Sequence, residues 1–147
     1  MLRIRADLAE AMVAHARRDH PDEACGVIAG RAGSDRPERF VPLRNAARSP
    51  TSYAVDSADL LQLYRGMDAR GEVPVVIYHS HPASPAYPSP TDVAYASEPL
   101  AHYVIVSTRA LGRDDGPEEL RSFRIVDGAV EEEPIELEAS LDGPLWA

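Results

Sequence analysis

The segment Pro74 to His81, PVVIYHSH, limits the possible folds more than any other stretch of the chain. Val75, Val76, Ile77 and Tyr78 run without a polar break, so a strand built from them has no face suited to water. Such a strand must be covered on both sides, which points to an α/β domain with helices packed on a mixed sheet. The run then ends in two histidines and Pro82, and proline stops the ladder there.

The rest of the sequence supplies the covering layers. Leu2 to Arg5 alternates like a short strand. Asp7 and Glu10 have capping-box spacing, and Leu8, Ala11, Met12, His15 and Ala16 then recur at helical intervals, closed by Pro21. Cys25 to Ala29 is small, apolar and partly β-branched, and reads as a buried strand ended by Gly30. Arg39 to Arg44 alternates like a further strand, and 45–52 is polar loop. A second helix is expected after Asp56 or Ser57, with Leu60, Leu61, Tyr64 and Met67 on one face and Gly71 beyond its end. Ser89 to Ser97 reads as a short helix with Ser89 as N-cap and Pro90 first. His102 to Ser107 is another strand, and Leu120 to Val126 with Val130 to Leu137 form a hairpin over Asp127-Gly128.

At 147 residues, with no repeat, this is one domain over 1–139 and a loose tail over 140–147. A net charge of -9 argues against a nucleic-acid backbone as partner. The lone Cys25 forbids an intrachain disulfide and any multi-cysteine zinc site, which also removes the zinc deaminases. The first twenty residues do not read as a secretory signal, and no run reaches the roughly 20 apolar residues of a membrane span. A cytoplasmic protein is expected.

The chemistry concentrates in HSHPASPAYPSPTD, residues 79 to 92. His79 and His81 project from one face, because strand side chains alternate. Asp92 follows in the first turn of the short helix, where a carboxylate is favoured by the helix dipole. Two imidazoles and one carboxylate leave a fourth position open on tetrahedral zinc, as at a catalytic site. Glu23, just ahead of the Cys25 strand, is placed to take a proton from an attacking water.

The order Glu23, then His79-Ser80-His81-Pro82, then Ser89-Pro90-Thr91-Asp92 resembles the JAMM (MPN+) metallopeptidases, whose pattern is Glu…His-x-His-x(10)-Asp. The resemblance covers most of the chain and implies their cytidine-deaminase-like α/β fold. Within the family, HARRDHPDEACGVIAG, VPVVIYHSHP and AHYVIVSTR are similar to actinobacterial peptidases that release cysteine from a ubiquitin-like sulfur-carrier protein. It implies one Zn2+ on His79, His81 and Asp92, Glu23 as the proton-transferring base, and Ser89 as oxyanion donor. It also implies hydrolysis of the amide joining a carrier's C-terminal glycine to cysteine, in a cysteine-forming route. An extended carrier tail would run past the loops 46–53 and 83–88, with Arg48 meeting the carrier's acidic surface or the terminal cysteine's carboxylate, or simply solvated. A homodimer is left open.

Blander readings apply as well. Two histidines two positions apart are more often ordinary partly buried residues, and it is Asp92 and Glu23 that turn the balance. Ser89 could serve as N-cap alone. Cys25 reads as a small core residue, His15 and His20 as solvated, His102 as structural, and Glu131 to Glu133 as a solvated strand end. A non-catalytic MPN-type scaffold would lack some of these ligands, whereas this chain has all of them. A non-haem iron oxygenase could use the same triad, but it usually needs a many-stranded jelly roll.

Overall fold

The computed structural model describes residues 1–110 and 119–139, so the expected tail from 140 lies outside the described residues. In chain order the elements are β1 (Leu2–Arg5), α1 (Ala6–Asp19), β2 (Cys25–Arg31), β3 (Arg39–Leu43), α2 (Ser57–Arg70), β4 (Glu72–His81), α3 (Pro90–Tyr95), β5 (His102–Ser107), β6 (Glu119–Val126), β7 (Ala129–Glu133) and β8 (Ile135–Glu138). The apolar run lies in β4, third in a six-stranded sheet ordered β3-β2-β4-β5-β6-β7. It pairs antiparallel with β2 and parallel with β5, so the sheet is mixed.

Alternation along the strands assigns each face its layer. Ile28, Val76, Tyr78, Val104 and Val106 pack with Leu8, Met12 and Ala16 of α1. Val27 and Ala29 turn the other way, onto Leu63 and Met67 of α2. Ile77 belongs to that second face, and so do His79 and His81 at steps of two. Full burial of one large apolar side chain contributes about 1.5–3 kcal/mol, so the two helix layers hold the central strand tightly. Gly26 is opposite Tyr78 in the register, and a Cβ there would overlap the Tyr78 ring. Glycine is therefore required for a close approach, not for a turn.

Several sequence expectations need correction. The capping box at Asp7 and Glu10 does not form. The first helix starts two residues earlier, capped at Arg5 without a side-chain bond, and Asp7 pairs with Arg5 at 3.1 Å. On α2 the stripe Leu60, Leu61 and Tyr64 is exposed, and Leu63 and Met67 face the sheet. The mixture of apolar residues around α2 hid which stripe was inner. The segment Val130 to Leu137 is not one strand. Pro134 lacks the amide a ladder needs, so β7 stays in the large sheet and β8 leaves to pair parallel with β1. The hairpin turn is as expected, with Asp127 and Gly128 at φ 51 and 80. His15 is not solvated: it is 4% exposed, with Nδ1 2.7 Å from the Tyr78 hydroxyl. Nor is Glu133 a solvated end, because it accepts from Ser122 at 2.8 Å and pairs with buried His102 at 2.6 Å. His20 is half-buried against Thr108. Among the described residues, no helix is long and apolar enough to cross a membrane.

Candidate metal centre

The two histidines end β4, and the carboxylate reaches them from the start of α3. Ser89 is the N-cap: its hydroxyl accepts the Asp92 amide at 3.1 Å, while Asp92 Oδ2 accepts the Ser89 amide at 2.8 Å. This reciprocal capping box fixes the Asp92 carboxylate before any ligand is considered. Asp92 Oδ2 then lies 3.1 Å from His79 Nε2 and 3.1 Å from His81 Nε2. The two Nε2 atoms are themselves 3.1 Å apart, which closes an equilateral triangle.

The chemistry of these donors fits a cation. Pro85 O can only accept, so His81 Nδ1, 2.8 Å away, carries the proton and donates it. In neutral His81 the Nε2 lone pair then faces the triangle, beside a second imidazole and a carboxylate oxygen. Lone pairs crowded in this way call for a positive centre between them. Tetrahedral ligands on zinc at 2.0–2.1 Å would stand about 3.3–3.4 Å apart, close to the observed spacing. Among the described residues, His79, His81 and Asp92 form a group able to hold a metal ion. The Pro85 carbonyl fixes the His81 ring in the way that outer carbonyl partners orient histidines at metal sites.

Electrostatics sharpen the roles open to each group. Burial alone would raise the Asp92 carboxyl, but hydrogen bonds from His79, His81 and the Ser89 amide outweigh it and hold it well below the usual carboxylate range. Glu23 is 6% exposed, and burial pushes its carboxyl up to about 7, with the Asp92 charge adding to the rise and His81 opposing it. A carboxyl poised near neutrality can both take and return a proton.

Glu23, His81, Ser89 and Asp92 line one cleft of about 840 Å3. The sequence-predicted residues are thus brought together, and both expected loops contribute: Pro50 to Tyr53 from one, Ala83 and Ser84 from the other. Arg48 does not line the cleft. It is exposed, at φ 46. Cys25 is buried, and burial raises its thiol to about 12, which agrees with a core role.

Two neighbours were not legible in the sequence. The Tyr53 ring lies 5.0 Å from His79, tilted by 30°, and covers one side of the histidine pair. Asn45, in what reads as plain polar loop, is buried and accepts the amides of Ala47 and Ala54. Nothing in local spacing marks either residue, since each acts across the fold.

Residues 5–126 match the family described as prokaryotic homologs of the JAB domain, and the chain belongs to that family. It is a JAMM-type hydrolase. Among individual proteins, it is 66% identical over 135 residues to the CysO-cysteine peptidase of Mycobacterium tuberculosis, covering 92% of this chain and 90% of that one. It is 34% identical over 111 residues to the desampylase of Haloferax volcanii, covering 72% and 80% of the two chains. The solution structure of protein DSY2949 from Desulfitobacterium hafniense superposes with a TM-score of 0.79 at 35% identity, over 97% of this chain and 96% of the other.

Proposed function

We propose that this chain is a zinc-dependent peptidase that hydrolyses the amide between the C-terminal glycine of a ubiquitin-like sulfur-carrier protein and a terminal cysteine. What supports this most is the convergence of two Nε2 atoms and one carboxylate oxygen, with His81 and Asp92 of that group lining the same cleft as Glu23. The carrier class follows from the family resemblance, and the name of the mycobacterial relative, CysO-cysteine peptidase, agrees with a cysteine adduct as substrate.

His79, His81 and Asp92 would hold the ion, which would supply Lewis acidity at the scissile carbonyl. Glu23 takes a proton from the attacking water and returns it to the departing amine. Its position in a buried pocket keeps the proton available near neutral pH. The Ser89 hydroxyl accepts the Asp92 amide with a lone pair, so its own proton stays free to donate to the developing oxyanion. The loop residues Pro50 to Tyr53 and Ala83 to Ser84 form walls between which an extended tail is gripped.

The test is to incubate the zinc-loaded enzyme with a genome-matched carrier extended by cysteine and to follow intact mass. Loss of one cysteine residue is expected. A carrier that stays intact, or that is cut elsewhere, overturns the substrate assignment.

A further inference from the structure

Glu23 is the site residue that no helix, strand or helix cap holds in place. It sits in the bend before β2, yet it is almost wholly buried. Its backbone amide donates to the Ser49 carbonyl at 2.9 Å. Its backbone carbonyl accepts from the Asn45 side-chain amide at 3.0 Å. The same Asn45 Nδ2 donates to the Ser52 carbonyl at 3.0 Å, and Asn45 Oδ1 accepts the amides of Ala47 and Ala54 at 3.0 and 3.1 Å. Both protons and the oxygen of the carboxamide are therefore used, in a residue that is 5% exposed.

The next residue has a separate anchor. The Ala24 amide donates to Ser80 Oγ at 2.7 Å, and the Ser80 amide donates to the Ala24 carbonyl at 2.9 Å. The start of β2 is thus pinned to the metal-ligand strand without help from Asn45. What Asn45 adds to the Glu23 amide's own bond to Ser49 is a second link, from the Glu23 carbonyl to the loop 45–54, whose far half lines the cleft.

We propose that Asn45 is a positioning residue for Glu23, joining the base and the substrate-facing loop into one body. A tail seated against Pro50 to Tyr53 is thereby placed in fixed register with the carboxylate that must move its protons. Misplacing a reacting group by about 1 Å can lower a rate about 10²-fold, so loosening one of the two ties that hold Glu23 to the loop has kinetic consequences. The inference rests on the reading of Glu23 as base.

Two measurements test it. In metal-free protein, Asn45→Ala should speed hydrogen exchange at the Glu23 amide by about 10-fold or more and leave the Ala24 amide unchanged. In zinc-loaded enzyme acting on the carrier–cysteine adduct, the same substitution should lower kcat by about 10- to 100-fold at unchanged zinc content. Introduced into Glu23→Gln, it should produce no further loss, because the group it positions is already disabled. Asn45→Asp guards against poor folding: it keeps the acceptor for Ala47 and Ala54 but cannot donate to Glu23, and the same non-additivity is expected. An equal further loss in the Gln background, or Glu23 and Ala24 amides responding alike, overturns the role of Asn45 alone. A wild-type enzyme that leaves the adduct intact, or a Glu23→Gln enzyme at full speed, refutes the proposed function and this inference with it.

Discussion

Glu23→Gln should make the metal-free protein more stable while it makes the enzyme slower. In the folded chain burial moves the Glu23 carboxyl from 4.5 up to about 7. A carboxyl whose folded value lies above its unfolded one binds a proton more readily when folded. Stability therefore falls as pH rises from 4.5 through about 7, and remains reduced above it. At about 1.4 kcal/mol per pH unit, the upper value of that penalty at pH 8 is about 3 kcal/mol. The cleft admits water, so about 1–3 kcal/mol is the working range. Glutamine has the same shape and no charge to bury, and it removes the penalty. Calorimetry in chelator should find the variant melting several degrees higher at pH 8. Near pH 4 the two proteins should coincide. Turnover with zinc should fall by about 10²–10⁴ while zinc content holds. Equal melting temperatures at pH 8, or a less stable variant, would refute the picture of a desolvated carboxylate. A fast Gln variant would refute its role as base.

Three further outcomes follow from the same site. His79→Ala and Asp92→Ala should each abolish zinc retention and turnover, read by elemental analysis and the mass assay, and Asp92→Ala should lose about 1 kcal/mol more through its cap. Ser89→Ala should lower kcat by about 10²-fold if the hydroxyl serves the oxyanion, and in either case cost about 1 kcal/mol of stability in a denaturant titration. Arg48→Ala should raise KM for the carrier adduct without changing zinc content or melting temperature, and a loss confined to kcat would remove this loop crest from substrate docking.

The site was more legible in the sequence than the layers around it. His79 and His81 fall two apart on a strand recognisable from its apolar run, and strand geometry alone gives them a common face. Asp92 follows Ser89 by three, and that spacing spells a capping box that also turns the carboxylate toward the two histidines. Helix α2 was misread because apolar residues occur all around it, so spacing could not say that Leu63 and Met67, not Leu60 and Tyr64, meet the sheet. The division of Val130 to Leu137 depended on Pro134 and on an open partner, β1, far away in sequence. His15 and Glu133 were misjudged for a related reason. Their partners Tyr78 and His102 come from other strands, and no local pattern announces a satisfied buried polar group.

The parallel pairing of β1 with β8 governs when this protein can finish folding. Leu2 and Ile4 are 0% and 1% exposed, and they sit in the same cluster as the α1 layer, with Ile135 packed against it. Ile135 and Leu137, their neighbours in register, are among the final described residues to be synthesised. During translation, then, His79, His81 and Asp92 emerge well before the strand that seals the core against β1. Contacts between such distant segments form slowly, because a long loop must close first. The nascent chain thus carries an unsealed apolar edge until β8 arrives, and a product ending ahead of Pro134 would leave the ribosome prone to aggregate even with His79, His81 and Asp92 in place.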